Sequence, residues 1–367
     1  MTACWQPEGA GSGKKVGAHD KNNLKDNSEM NLKSIAAMAA ALIMTACAGG
    51  VSEKNNGSDP MPSWNDTPVK KQIVDYLEEQ SAQIPEEDRI AVLDMDGTII
   101  CEHPLWCEMA VASQKMADRL KENPGLAKYK SYLYAEKLTK NPSDTSVINN
   151  WFADGNNYLD SIIYRAFDGV SQEEYVSYAR KYIMETPIRK YDIPYGEAFY
   201  KPMLELIDYL RSKKFDVYIV SGSMQGMVWA AVPEELGFDR QHLIGSCQQT
   251  VVKYGKDGAS FVIQNDVLQP KNNGDGKSIN IFNRLGKIPV VAIGNTTGDF
   301  GMFRLASTSR YPHFAMMINH DDAEREFKYN PYYDKVKPAW EDTVRANGWI
   351  QADMSKEFKV VFDIEKN

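Results

Sequence analysis

The sequence has no basic excess, few cysteines and no apolar run long enough to cross a bilayer. Its 42 lysines and arginines stand against 50 aspartates and glutamates, a formal net charge of -8. No surplus is left to neutralise a phosphate backbone or an anionic membrane, which disfavours a general nucleic-acid binder. A small anionic substrate held by a few local cations or a metal remains open. Five cysteines occur without any C-x-x-C pair, so neither a zinc site nor a full disulfide framework is indicated. Beyond Cys4 and Cys47 there are Cys101, Cys107 and Cys247, open to one Cys101–Cys107 bridge or, more plainly, to three buried free thiols. No repeat or low-complexity segment follows residue 65. What is present is globular: 367 residues, 43% hydrophobic and 11% aromatic, enough for one large or two modest domains.

Composition changes near residue 65. Residues 1–29 are polar and aperiodic, whereas "MNLKSIAAMAAALIMTAC" from Met30 has a lysine, an apolar stretch from Ile35 to Met44 and small residues before Cys47. That is the shape of an export signal, with translation expected to start at Met30. The apolar stretch falls well short of the roughly 20 residues that span a bilayer. Met44-Thr45-Ala46-Cys47 resembles a bacterial lipoprotein cleavage box, with Met where Leu is usual. The resemblance implies an exported chain tethered to a membrane through lipid on Cys47, periplasmic or at the cell surface. Residues 1–46 are then leader and 47–66 a flexible tether rich in Gly, Ser, Asn and Pro.

The remainder alternates. Ile73, Tyr76 and Leu77 share a helical face, and residues 89–94 read as a first strand. Residues 102–191 carry helical patterning and no convincing strand. Thereafter strands such as "FDVYIVSGS", "HLIGSCQ", "IPVVAIGN" and "FAMMINH" are separated by helices and one hairpin-like stretch. Strands spaced by helices imply right-handed crossovers and a parallel sheet covered on both faces. Ligands of such sheets collect at the carboxyl ends of the strands, where Asp94, Ser221 and Asn295 fall.

Asp94 and Asp96 sit together at the end of a strand buried on both faces, and two like charges there need a reason. "DMDGT" (94–98), "VYIVSGS" (217–223), "GDGKSINIF" (274–282) and "AIGNTTGD" (292–299) resemble the four ordered motifs of the haloacid dehalogenase superfamily, most nearly its phosphoserine-phosphatase-like branch. The resemblance spans about residues 70–330. It implies a doubly wound α/β core, Rossmann-like, from residues 67–101 and 192–367, with an inserted helical cap at 102–191. It further implies a Mg²⁺-dependent phosphomonoesterase acting on a small alcohol phosphate. Asp94 would be the nucleophile, Asp96 the general acid and base, and Lys277 the cation that steadies the transferring phosphoryl group. Ser221 and Gly222 would hold the phosphate at a helix N-terminus. Asp94, Asp96, Asn295 and Asp299 would hold Mg²⁺, and Glu102 resembles the cap-entrance glutamate that meets a substrate amino group.

Each assignment has a plainer counterpart. Asp94 and Asp96 can form a solvated turn, Ser221 a helix N-cap, and Glu102 a surface acid. Lys271 is close enough in sequence to compete with Lys277. Asn295 stands where an aspartate is usual, which removes a charge from the metal site. Trp106, Trp151, Phe152, Tyr158 and Tyr164 form either an aromatic box for a quaternary ammonium or the core of the cap. Three functions therefore compete. A phosphatase, with phosphoserine and phosphorylcholine among its possible substrates, leads; a metal-free dehalogenase is opposed by Asp96; a catalytically weak surface lipoprotein would keep the fold as a binding scaffold.

Overall fold

Strand β1 (Ile90–Leu93) is buried at every residue, because the sheet it centres is covered on both faces. The structure is a computed structural model that describes residues 59–148, 157–329 and 339–363. Ahead of β1 lies α1 (Pro68–Asp75), whose N-cap Thr67 accepts a bond from the Lys70 amide. It widens into a further turn over Tyr76–Gln80, and Ile73, Tyr76 and Leu77 are buried on the expected face.

After β1 the chain leaves the sheet for a helical insertion: α2 (Cys107–Glu122), α3 (Lys130–Lys140), α4 (Thr145–Ile148), α5 (Tyr158–Ala166) and α6 (Gln172–Glu185). A capping box of Ser171 and Glu174 starts α6. The insertion closes on a small hairpin of β2 (Pro187–Ile188) and β3 (Ile193–Pro194). Helical patterning did not announce this hairpin, since each strand is too short to show a period.

The sheet then resumes through α7 (Lys201–Ser212), β4 (Asp216–Met224), α8 (Gln225–Ala231) and β5 (Leu243–Ser246). An antiparallel hairpin follows, β6 (Gln248–Gly255) and β7 (Gly258–Val267). The chain continues with α9 (Asp275–Leu285), β8 (Val291–Gly294), α10 (Phe300–Ser307) and β9 (Phe314–Asn319). It closes with α11 (Trp340–Ala346), β10 (Ile350–Asp353) and α12 (Met354–Glu357).

The six strands run in the order β10-β9-β8-β1-β4-β5, and every pairing is parallel. Ala91, Leu93, Ile219 and Ile293 face one core; Ile90, Val92, Val220 and Ala292 face the other. Burial on both sides makes the strands read as continuous apolar runs. The first core also takes Met109, Ile162, Phe167 and Ile183 from the insertion, so insertion and sheet share one apolar body. Chain order reverses direction at β1, and the carboxyl ends of β1, β4 and β8 lie side by side there.

Three expectations change. The tether was expected to run to residue 66, yet Met61 and Trp64 are buried. Trp64 packs edge-on against Phe358 at 5.0 Å and donates from Nε1 to the Pro202 carbonyl at 2.8 Å. Residues 1–58, including Cys47, lie outside the described residues, as do Trp151 and Phe152. The edge strand β10 was not expected, because four residues carry little pattern and its pairing with β9 is set by tertiary contact. Cys101, Cys107 and Cys247 are all free, the first two buried and Cys247 exposed rather than buried.

Candidate active site

The Asp94 amide donates to the Ile293 carbonyl at 2.9 Å, extending the β1–β8 ladder by one residue. The chain then folds into a tight turn, with the Gly97 amide on the Ile100 carbonyl at 2.8 Å. Gly97 has φ +72°, and a Cβ there would lie 1.9 Å from Asn295 Nδ2 and 2.6 Å from Glu102 Oε1. Only glycine satisfies both the backbone and the approach of those side chains.

Lys277, in the first turn of α9, decides between the two candidate lysines. Its Nζ lies 2.5 Å from Asp94 Oδ1, 2.6 Å from Asp299 Oδ1 and 2.7 Å from the Val220 carbonyl. Lys271 instead pairs with Asp160 of α5 at 2.6 Å and sits 5.2 Å from the centre of the Tyr164 ring. Burial opposes the Lys277 charge, but Asp299 and Asp94 outweigh it and hold its pKa above the usual value. Burial and the neighbouring Asp299 push the Asp94 pKa up, with Lys277 acting against them.

The β4–β5 register breaks between Val220 and Met224, a bulge of the kind that re-aims side chains beside active sites. It carries Ser221, Gly222 and Ser223. Ser221 is therefore not the cap of a helix, since α8 begins only at Gln225 with Met224 as its N-cap. Asp96 Oδ2 accepts from Ser223 Oγ at 2.9 Å and from Ser221 Oγ at 3.4 Å, while its Oδ1 is buried with no partner. Burial lifts the Asp96 pKa to about 6 although both serines pull it down.

On the other side of Asp94 the donors are different. Thr98 Oγ1 lies 3.3 Å from both Asp94 Oδ2 and Asn295 Oδ1, so these two oxygens converge. Asn295 Nδ2 donates to Glu102 Oε1 at 2.8 Å. Asp299 points elsewhere: its Oδ1 holds Lys277 and its Oδ2 accepts the amides of Asn295 and Thr296 at 3.0 and 2.9 Å. Glu102 is buried and its pKa is raised well above the usual carboxylate value, chiefly by that burial. It is engaged by Asn295 rather than left open to a substrate amine.

Among the described residues no group of three or more His, Cys, Asp and Glu side chains is arranged to hold a metal. The oxygens of Asp94 and Asn295 nevertheless suit a hard cation. Asp94 and Asp299 share the Lys277 ammonium, and Asp96 and Glu102 lie close enough to Asp94 to feel its charge, so acids outnumber that cation. The donor set and the charge balance thus fit a divalent ion such as Mg²⁺.

Several groups at the site escaped the sequence reading. Ser223 lies closer to Asp96 than Ser221 does, and the repeated serine of "SGS" was its only signal. His320 Nε2 donates to the Gly97 carbonyl at 2.7 Å, its Nδ1 lies 3.1 Å from Glu326 Oε2, and its ring stacks on Tyr329. Glu108 of α2 accepts the Met224 amide at 2.8 Å, tying the insertion to the start of α8. Neither His320 nor Glu108 belongs to a local motif. Of the aromatics in the described part of the insertion, Tyr158 is buried edge-on to Tyr134 at 4.9 Å, and the Tyr164 face already carries Lys271.

Among curated proteins none matches the chain. A conserved protein of unknown function from Anaerococcus prevotii overlays 69% of this chain and 85% of its own at 17% identity, with a TM-score of 0.42. A phosphoserine phosphohydrolase-like protein from Francisella tularensis overlays 63% and 88% at 13% identity, TM-score 0.33. Cytosolic 5'-nucleotidase IIIB bound to cytidine overlays 76% and 90% at 14% identity, TM-score 0.40. The haloacid dehalogenase-like hydrolase family matches residues 91–304, from β1 into α10 and so through all the strand ends that build the site, and the chain belongs to that family.

Proposed function

We propose that the chain is a Mg²⁺-dependent phosphomonoester hydrolase that works through phosphorylated Asp94. The observation that carries this reading is the pairing of Asp94 with buried Lys277 at 2.5 Å, across from an Asp96 that has one oxygen without a partner. Asp94 attacks phosphorus, and the bond to the alcohol oxygen breaks as Asp96 gives that oxygen its proton. Water then attacks the aspartyl phosphate, Asp96 takes a proton from it, and the bond between Asp94 and phosphorus breaks to release phosphate. An Asp96 pKa near 6 lets the same carboxyl act first as acid and then as base near neutral pH. Lys277 steadies the charge on the transferring group, while Ser221 and Gly222 on the bulge hold its oxygens. Mg²⁺, held by Asp94 and Asn295 with Asp96 and Asp299 close by, would keep Asp94 ionised and neutralise phosphoryl oxygens when bound.

The helical insertion acts as a cap over the crevice and excludes water. It also selects the ester, a small alcohol phosphate. The protein is exported and tethered through lipid on Cys47.

The test is hydrolysis of phosphoserine, phosphorylcholine, glycerol phosphate and a nitrophenyl ester, with Mg²⁺ and with chelator, plus acid-quench trapping of labelled phosphate. Asp94→Asn is expected to abolish turnover and trapping. Asp96→Asn is expected to accumulate labelled phosphate on Asp94 from the nitrophenyl ester, whose leaving group needs little protonation. Full activity in Asp94→Asn, or activity indifferent to chelator, overturns the mechanism. No hydrolysis of any ester by folded wild type would favour the binding scaffold.

A further inference from the structure

We propose that a cavity at the seam between the helical insertion and the sheet, apart from the candidate active site, binds a small zwitterion: an α-amino acid with an apolar side chain. The cavity holds about 240 Å³, and none of the residues placed at the active site lines it. Val176 and Arg180 come from α6 of the insertion, Trp229 and Ala230 from the last turn of α8, and the segment running on to Leu243 at the start of β5 supplies the rest. Clefts where two structural units meet are a preferred place for small ligands.

Three kinds of chemistry meet there. Ala230, Val232, Phe238 and Leu243 are buried and give an apolar floor. Trp229 Nε1 is buried with no hydrogen-bond partner among the described residues, although a buried donor almost always has one. The Arg240 guanidinium lies 4.7 Å from the centre of the Trp229 ring, and Arg180 donates to the Ala230 carbonyl at 3.2 Å. An unpartnered indole N–H and two guanidiniums on one cavity call for an anionic acceptor, and a carboxylate matches the planar guanidinium. Glu234 and Glu235 also line the cavity and are exposed, which puts them at its mouth. They balance the two arginines, so a dianion is opposed and a ligand that carries an ammonium beside its carboxylate is favoured. An occupant touches α6 and α8 together, and so holds the insertion against the helix that starts at the Ser221–Ser223 bulge.

The experiment is calorimetry on the full chain in chelator, with neither metal nor phosphate ester, so its result is independent of the proposed function. The probes are phenylalanine, hydrocinnamate, which lacks the ammonium, and phenethylamine, which lacks the carboxylate. Phenylalanine is expected to bind one to one, about tenfold more tightly than phenethylamine and about threefold more tightly than hydrocinnamate, and to raise the melting temperature with its concentration. Arg240→Gln, at an exposed position, is expected to weaken phenylalanine about tenfold. Trp229→Phe, which keeps a ring but removes the N–H, is expected to weaken it about fivefold. The double variant Glu234→Gln with Glu235→Gln is expected to erase the preference for phenylalanine over hydrocinnamate. Absence of phenylalanine binding at millimolar concentration, or binding that Arg240→Gln and Trp229→Phe leave unchanged, overturns the site. Equal binding of phenylalanine and either truncated probe overturns the zwitterion.

Discussion

Lys277 sits among two carboxylates and a carbonyl with almost no exposure, so its removal strands two buried acids. Breaking a buried pair from one side costs about 3–5 kcal/mol. Lys277→Met is therefore expected to lose activity and about 3 kcal/mol of stability at pH 8, measured by denaturant titration. The loss shrinks at pH 5, where the abandoned Asp94, whose pKa burial already lifts to about 7, can take a proton and shed its charge. An equal loss at both pH values would contradict this account. Lys271 has no such place: its pair with Asp160 is partly exposed, which limits its share of stability.

At the scale of elements, the contact between α2 and the start of α8 is made by a buried acid. Burial lifts the Glu108 pKa to about 8 from an ordinary 4.5, despite the Met224 amide that stabilises its charge. A folded-state pKa above the unfolded value means that its stabilising contribution is complete below about pH 4.5 and is lost as pH rises through 8. An amide at this position accepts the same Met224 bond but never ionises. Glu108→Gln is thus expected to melt several degrees above wild type at pH 8.5 and within a degree or two of it at pH 4.5. Thermal scans across that range check it, and a constant offset between the two proteins would show that Glu108 stays neutral throughout. The bulge in β4 belongs to the same scale, because it turns the carboxyl end of an interior strand into a presentation of Ser221 and Ser223 towards Asp96.

For the whole molecule, the two ends of the described fold meet. Trp64 is held between Pro202 and Phe358, the Asn65 amide donates to the Glu357 carbonyl, and the Lys359 amide donates to the Ser63 carbonyl. Met61 and Trp64, expected to belong to the tether, are thereby part of the core. Trp64→Ala is expected to cost about 3 kcal/mol, in the range for emptying a buried aromatic site, read from the midpoint of urea unfolding. A loss under about 1 kcal/mol would mean that this segment packs only loosely. Among the described residues no helix is long and apolar enough to cross a membrane. Mass spectrometry of protein from membranes is expected to find lipid on Cys47 as the first residue, and an unmodified Cys47 with the preceding segment attached would refute the anchor.

The sequence by itself determined the central strands of the sheet and the paired acids Asp94 and Asp96. Strands buried on both faces announce themselves as apolar runs, and Asp94, Asp96, Ser221, Lys277 and Asn295 each follow a strand or open a helix within a short local pattern. Only tertiary structure decided how they are wired. It chose Lys277 over Lys271 through a contact across 183 residues and gave Glu102 to Asn295 across 193. It braced the Gly97 turn with His320 across 223. The physical reason is common to all three: a buried polar group must find a partner, and which partner it finds depends on packing between distant segments, which no local spacing encodes. For the same reason Trp64, in a stretch of Gly, Ser, Asn and Pro, read as tether until Phe358 and Pro202 supplied the walls that bury it.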